Sequence, residues 1–110
     1  MPSDAPHQNY TIKHRRVVAE SDSMRYTEFT LGVGESIPWH IHSDMTDHHI
    51  CLKGRCRVDT SPGPRYDLGP GERVSVSNRT AHTVQNIGDT ECTFVIIQAG
   101  GPYDFLPLEP

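Results

Sequence analysis

The sequence predicts an all-β fold, a barrel or sandwich of many short strands, and three observations carry that prediction. Nine glycines and nine prolines punctuate 110 residues, clustered at Gly32-Val33-Gly34, Ser61-Pro62-Gly63-Pro64, Gly69-Pro70-Gly71 and Gly100-Gly101-Pro102, which is too often for long helices. The pieces between them are short and rich in β-branched and aromatic residues. No alternation of strand and helix patterns, internal repeat or low-complexity tract is visible.

Taken in order, the polar lead 1–10 reads as a flexible segment. Lys13-His14-Arg15-Arg16, the main basic cluster, reads as a solvated surface run. Strands are predicted over Met24–Leu31, Ile37–His42, Asp47–Lys53, Arg55–Thr60, Arg73–Val76, His82–Asn86 and Cys92–Gln98, the core spanning about 24–98. The tail 99–110 contains the apolar stretch Tyr103–Leu108, which should dock, either closing the bottom of its own barrel or crossing to a partner subunit. A length of 110 residues suits one domain, 1–110.

Composition narrows the classes of function. A formal net charge of −4 and a pI near 5.9 offer no positive field for nucleic acid or anionic lipid. No apolar run approaches the roughly 20 residues of a membrane span, and Met1–Gln8 lacks the apolar core of a signal peptide. A soluble cytoplasmic protein is therefore expected, with Cys51, Cys56 and Cys92 as reduced thiols. Cys51 shares a face with the candidate site described next, but core filling is the plainer role for it.

Seven histidines in so short a chain, several within His40–His49, raise the prior for a metal site. In a strand, residues two apart share a face about 6.6 Å apart, so His40 and His42 project together while Trp39 and Ile41 face away. Ser43-Asp44-Met45-Thr46 makes a polar turn, and the returning strand brings Asp47 beside His42. Asp47, His49 and Cys51 then point inward and His48 and Ile50 outward. His82 opens a separate strand and would tie the barrel together around the ion.

These spacings resemble the cupin family. Its first motif, G-x5-H-x-H-x(3,4)-E-x6-G, is met by Gly34, His40, His42 and Gly54, with Asp47 where glutamate is expected. Its second, G-x5-P-x-G-x2-H-x3-N, is met by Gly71, His82 and Asn86, with Ser77 and Arg79 replacing the proline and second glycine. The resemblance covers about Met24–Gln98 and implies a double-stranded β-helix (jelly-roll) barrel open at one end. It also implies a metal ion held by His40, His42, His82 and the acidic position, Asp47. Aspartate is a methylene shorter than glutamate, which leaves Asp47 three roles: binding the ion directly, binding it through water, or orienting a histidine. His49 is the rival for the fourth position. Asp47 is placed first because a carboxylate supplies negative charge to a divalent ion.

Three imidazoles and a carboxylate leave one or two positions open on an octahedral ion. With iron(II), the favoured metal, such a site resembles the cupin dioxygenases and implies O2-dependent oxidation of a small chelating substrate. Zinc, manganese, nickel or copper would suit the alternatives, a metal-dependent isomerase or lyase, or a non-catalytic small-molecule-binding module. His49 is the candidate catalytic base. Gln98 and Tyr26 are candidate pocket liners, and Arg55 and Arg57 would bind a substrate carboxylate only if they point inward. Uncovered sheet edges, the apolar tail and the family resemblance together imply a homodimer.

Overall fold

The computed structural model describes residues 12–108 and consists of two antiparallel five-stranded sheets. The strands are β1 (His14–Glu20), β2 (Met24–Leu31), β3 (Ser36–Ile41), β4 (Thr46–Lys53), β5 (Cys56–Ser61), β6 (Arg65–Leu68), β7 (Arg73–Val76), β8 (Ala81–Asn86), β9 (Cys92–Ala99) and β10 (Leu106–Pro107). One sheet runs β1-β2-β9-β4-β7 and the other β10-β3-β8-β5-β6. Among the described residues no helix is long and apolar enough to cross a membrane. The expected flexible segment 1–10 lies outside the described residues.

Period-two alternation sorts the inward side chains into tiers. In the first sheet, cross-strand neighbours on β2, β9 and β4 form the rows Arg25–Gln98–Asp47, Thr27–Ile96–His49 and Phe29–Phe94–Cys51. In the second, β3, β8 and β5 form the rows His40–His82–Thr60 and Ile37–Val84–Val58. All fifteen side chains are buried, so polarity changes along the barrel from a polar end to an apolar one. The apolar end is closed by Leu31, Cys56, Leu68 and Cys92, and Phe29 stacks on Phe94 with centroids 5.3 Å apart. Burying an aliphatic or aromatic side chain of this kind contributes roughly 1.5–3 kcal/mol.

Two local irregularities position the polar end. In β3, Ile37 faces Val84 and His40 faces His82, so two residues, Pro38 and Trp39, stand opposite the single Thr83. The bulge contains Pro38, which has no N–H for a ladder bond. Strict alternation from Ile37 would send Trp39 inward; the extra residue reverses parity and sends His40 and His42 inward instead. The second is Arg79, at φ 62° the one non-glycine residue with positive φ among those described. It stands where the motif has glycine, while the matching glycines Gly34, Gly54 and Gly71 all adopt left-handed φ of 79–86°. From there the Arg79 amide donates to the His42 carbonyl (2.8 Å) and Asn78 Nδ2 to Ser43 O (3.0 Å), fastening the turn before His82 to the residues after β3.

Asn86 has a structural role. Its amide group donates to the carbonyls of Leu31, Gly32 and Thr90, and its Oδ1 accepts from Gly88 N. The tail does not close the bottom of its own barrel. β10 pairs with β3 at Ile41 and His40, so Tyr103 and Phe105 lie against the histidines at the polar end and not at the bottom of the barrel.

Candidate metal centre

The polar tiers bring together the four residues expected from the spacing. His40, His42, Asp47 and His82 are all buried, and one donor atom from each lies within 4.8 Å of the other three. Donors around an ion at about 2.1 Å stand roughly 3.0–4.2 Å apart. Two measured separations fall in that range: His82 Nε2 to Asp47 Oδ2 at 3.0 Å and His42 Nε2 to Asp47 Oδ2 at 3.3 Å.

Backbone carbonyls decide which nitrogen faces inward. Nδ1 of His40 bonds Pro38 O (2.7 Å), that of His42 bonds Asp104 O, and that of His82 bonds Thr80 O (2.9 Å). A carbonyl can only accept, so each Nδ1 carries the proton, and in a neutral ring Nε2 is a lone pair. The lone pairs of His42 and His82 then confront a carboxylate oxygen at hydrogen-bond distance, which is repulsive without a positive species among them. A proton on His42, favoured by the Asp47 carboxylate, or a divalent cation meets that requirement, and the donor set fits the cation: three oriented imidazoles and one carboxylate.

Gln98, from the strand between β2 and β4, completes the arrangement. Its Nε2 donates to Asp47 Oδ1 (3.0 Å) and lies 3.3 Å from His42 Nε2, leaving Oδ2 turned toward the histidines. His49 lies on the next tier with Nε2 3.5 Å from Asp47 Oδ2, and neither of its ring nitrogens has a hydrogen-bond partner. It is not among the four converging residues.

Burial and charge pull the ionisable groups apart. Burial holds His40 well below the ordinary imidazole pKa, helped by its histidine neighbours. Burial also depresses His49, outweighing the nearby carboxylate. At His42, burial acts in the same direction, but the hydrogen bond and charge of Asp47 overcome it and the pKa is raised. Burial would raise Asp47; its contacts with His42, His49 and His82 prevail and hold it well below the usual carboxylate value.

Residues singled out from the sequence fare differently. His48 points outward and bonds Ser75 Oγ. Gln98 lines the cavity, whereas Tyr26 is on the outer face of β2 because Arg25 and Thr27 occupy the inner one. Arg55 is exposed and Arg57 pairs with Asp67 (2.7 Å), so neither points into the site. Sequence reasoning missed Arg25, which is 2% exposed and lines the same cavity as the metal-site residues. The one available signal was its two-residue spacing from Thr27, Phe29 and Leu31.

A search of curated proteins returned no match. The family profile described as Cupin domain matches residues 27–98. Among solved structures, the chain is similar to an uncharacterized conserved protein with a double-stranded beta-helix domain from Klebsiella pneumoniae subsp. pneumoniae MGH 78578, at 23% identity and a TM-score of 0.78, covering 88% of this chain and 84% of that one. It is similar to a predicted oxalate decarboxylase from Thermotoga maritima at 15% identity and a TM-score of 0.71, covering 78% of each chain. It also resembles recombinant oxalate oxidase in complex with glycolate, at 21% identity and a TM-score of 0.69. That match covers 77% of this chain and 46% of the other, so the chain spans less than half of that enzyme's length. At these identities the likeness is one of fold, a double-stranded β-helix.

Proposed function

The chain belongs to the cupin family, and from that premise we propose that it is a metal-dependent enzyme acting on a small chelating organic substrate, with O2-dependent, dioxygenase-type oxidation as the leading reaction. One observation carries the reading: three imidazoles fixed through Nδ1 by backbone carbonyls present their other nitrogens toward one buried carboxylate. His40, His42, Asp47 and His82 would hold the ion, iron(II) in the favoured case, with zinc, manganese, nickel or copper as alternatives. Such an ion supplies a Lewis-acidic centre and, as iron(II), electrons for oxygen chemistry.

The protein's own part is positioning. Ile37, Ile96 and Phe105 give the cavity an apolar wall. His49, kept neutral by burial and without a hydrogen-bond partner, offers a lone pair beside the site and is the residue we assign as proton acceptor. A homodimer in the cytoplasm is the setting in which we place it.

A second reading is favoured by the size of the cavity, about 20 Å³ between Phe29, Tyr103 and Phe105, which is room for about one water. So narrow a site suits a non-catalytic small-molecule-binding module. Turnover separates the readings. Iron-loaded protein given O2 and a panel of diketones, thiols and enediols should consume oxygen. Product formed under argon instead would indicate an isomerase or lyase, and binding without turnover would indicate the module.

A further inference from the structure

We propose that Gln98 is a positioning residue for the metal centre: by holding Asp47 Oδ1 it limits the carboxylate to one donor oxygen, which biases the site toward zinc, cobalt(II) or iron(II) and against manganese(II). The proposal rests on the metal reading above and adds the origin of its selectivity.

Register places the amide. Gln98 on β9 is the direct cross-strand partner of Asp47 on β4, and paired side chains on one face have Cβ atoms about 4.5–5.5 Å apart. Both side chains are buried on the inner face. Glutamine is the longer by one methylene, and its Nε2 donates to Oδ1 at 3.0 Å.

The two oxygens of Asp47 therefore have different surroundings. Oδ1 accepts from Gln98, whereas Oδ2 faces His82 Nε2 at 3.0 Å, His42 Nε2 at 3.3 Å and His49 Nε2 at 3.5 Å. The amide has one permissible orientation, because its carbonyl oxygen turned to the carboxylate would set two acceptors together. The same Nε2 lies 3.3 Å from His42 Nε2, so one amide group touches two of the four donor residues.

Binding an ion through both oxygens would turn Oδ1 toward the histidines and strand a buried N–H of Gln98, which is disfavoured. Aspartate has only two side-chain torsions, so its carboxylate takes its orientation from the strand and from the donor behind it. Three imidazoles and a single oxygen make a nitrogen-rich set, suited to zinc, cobalt(II) and iron(II), while sets richer in carboxylate suit manganese(II). Released from Gln98, Oδ1 becomes a second oxygen donor and moves the set toward manganese.

The test titrates cobalt(II) and manganese(II) by calorimetry into the full chain, as wild type and as Gln98→Met, which keeps the volume and removes the N–H donors. Wild type is expected to prefer cobalt. Gln98→Met should lower cobalt affinity about ten- to hundredfold, the usual effect of losing the partner of a metal ligand, and should lower manganese affinity less. The visible absorption of bound cobalt should weaken as Oδ1 joins the ligand set. Infrared difference spectra of metal-loaded against metal-free chain give a second readout. The Asp47 carboxylate stretches should be widely split in wild type, as for one-oxygen binding, and closer together in the variant. A packing role alone would lower the urea midpoint and leave the cobalt spectrum and the preference for cobalt as in wild type. Should Gln98→Met not fold, Gln98→Asn, whose amide is withdrawn by a methylene, is read in the same way, and the wild-type infrared signature decides if neither folds. A cobalt spectrum and metal preference indifferent to residue 98, or a two-oxygen signature in wild type, overturns the proposal while the metal reading stands. Failure of the wild-type chain to bind cobalt removes both.

Discussion

Replacing Gly54 by alanine should damage the barrel far more than the same change at Gly34 or Gly71, although all three glycines are left-handed. Gly54 has φ 79° and joins β4, the strand of Asp47 and His49, to β5. A Cβ there would lie 2.8 Å from Glu91 O and 2.9 Å from both Cα and Cβ of Cys92, well inside the roughly 3.5–4.0 Å of an ordinary carbon contact. These atoms belong to the entry of β9, which is paired on both sides by β2 and β4 and has little freedom to retreat. Left-handed strain costs about 1–2 kcal/mol and overpacking about 1–3 kcal/mol. A stiffer unfolded chain returns about 0.4–1 kcal/mol, leaving a net loss of about 1–4.5 kcal/mol. At Gly34 and Gly71, with φ of 81° and 86°, a Cβ would meet nothing within 4 Å, so only the strain remains, about 1 kcal/mol net. Urea unfolding followed by the fluorescence of Trp39, the sole tryptophan, measures the three variants against wild type. A Gly54→Ala loss within about 0.5 kcal/mol of the Gly71→Ala loss, the scale of an inconsequential change, would refute the steric argument.

Zinc at a hundredfold excess over its Kd should stabilise the wild-type chain by about 2.7 kcal/mol, and His82→Ala should abolish that gain; a metal-dependent rise in Tm surviving in the variant would show that His82 is no ligand. Without metal, stability should fall as pH drops from about 7 to 5, because the depressed pKa values of His40 and His49 mean that the unfolded chain binds protons first. The raised His42 contributes the opposite sign, stability present in acid and lost as pH rises through its folded pKa, but it is one group against two. Asp47 adds a further loss only below the usual carboxylate range. A flat urea midpoint between those pH values would contradict the assignment. The thiols should resist a disulfide reagent at pH 8 until the chain is denatured, since burial raises the pKa of Cys56 and pushes Cys92 up to about 11; rapid labelling of the folded protein would count against that burial.

Where the chain alternates cleanly, the sequence was enough to place side chains. Asp47, His49 and Cys51 point inward and His48 outward as period two requires, and the turn residues mark most strand ends. Three kinds of information were out of reach. The strand Met24–Leu31 has apolar residues on both faces, and arginine is seldom a core residue, so the pattern points to Tyr26 as the pocket liner and gives no reason to consider Arg25. The parity change at Pro38 was invisible because the histidines alone did not reveal that Ile37 also faces in. Strand β10 has only two residues, too few for a periodic signal, β6 (RYDL) has none of the β-branched residues that mark the equally short β7, and β1 was hidden by its charge, which suits an exposed edge.

The contact between residues 104 and 42 also sets an order of events. His42 has its Nδ1 fixed by the carbonyl of Asp104 and its neighbour Ser43 is held by the Asp104 carboxylate, so the centre matures only after some sixty further residues have left the ribosome. A chain clipped at Gly100-Gly101 would retain every metal donor, yet it would lose the anchor that orients one ring and the aromatic wall on its neighbours.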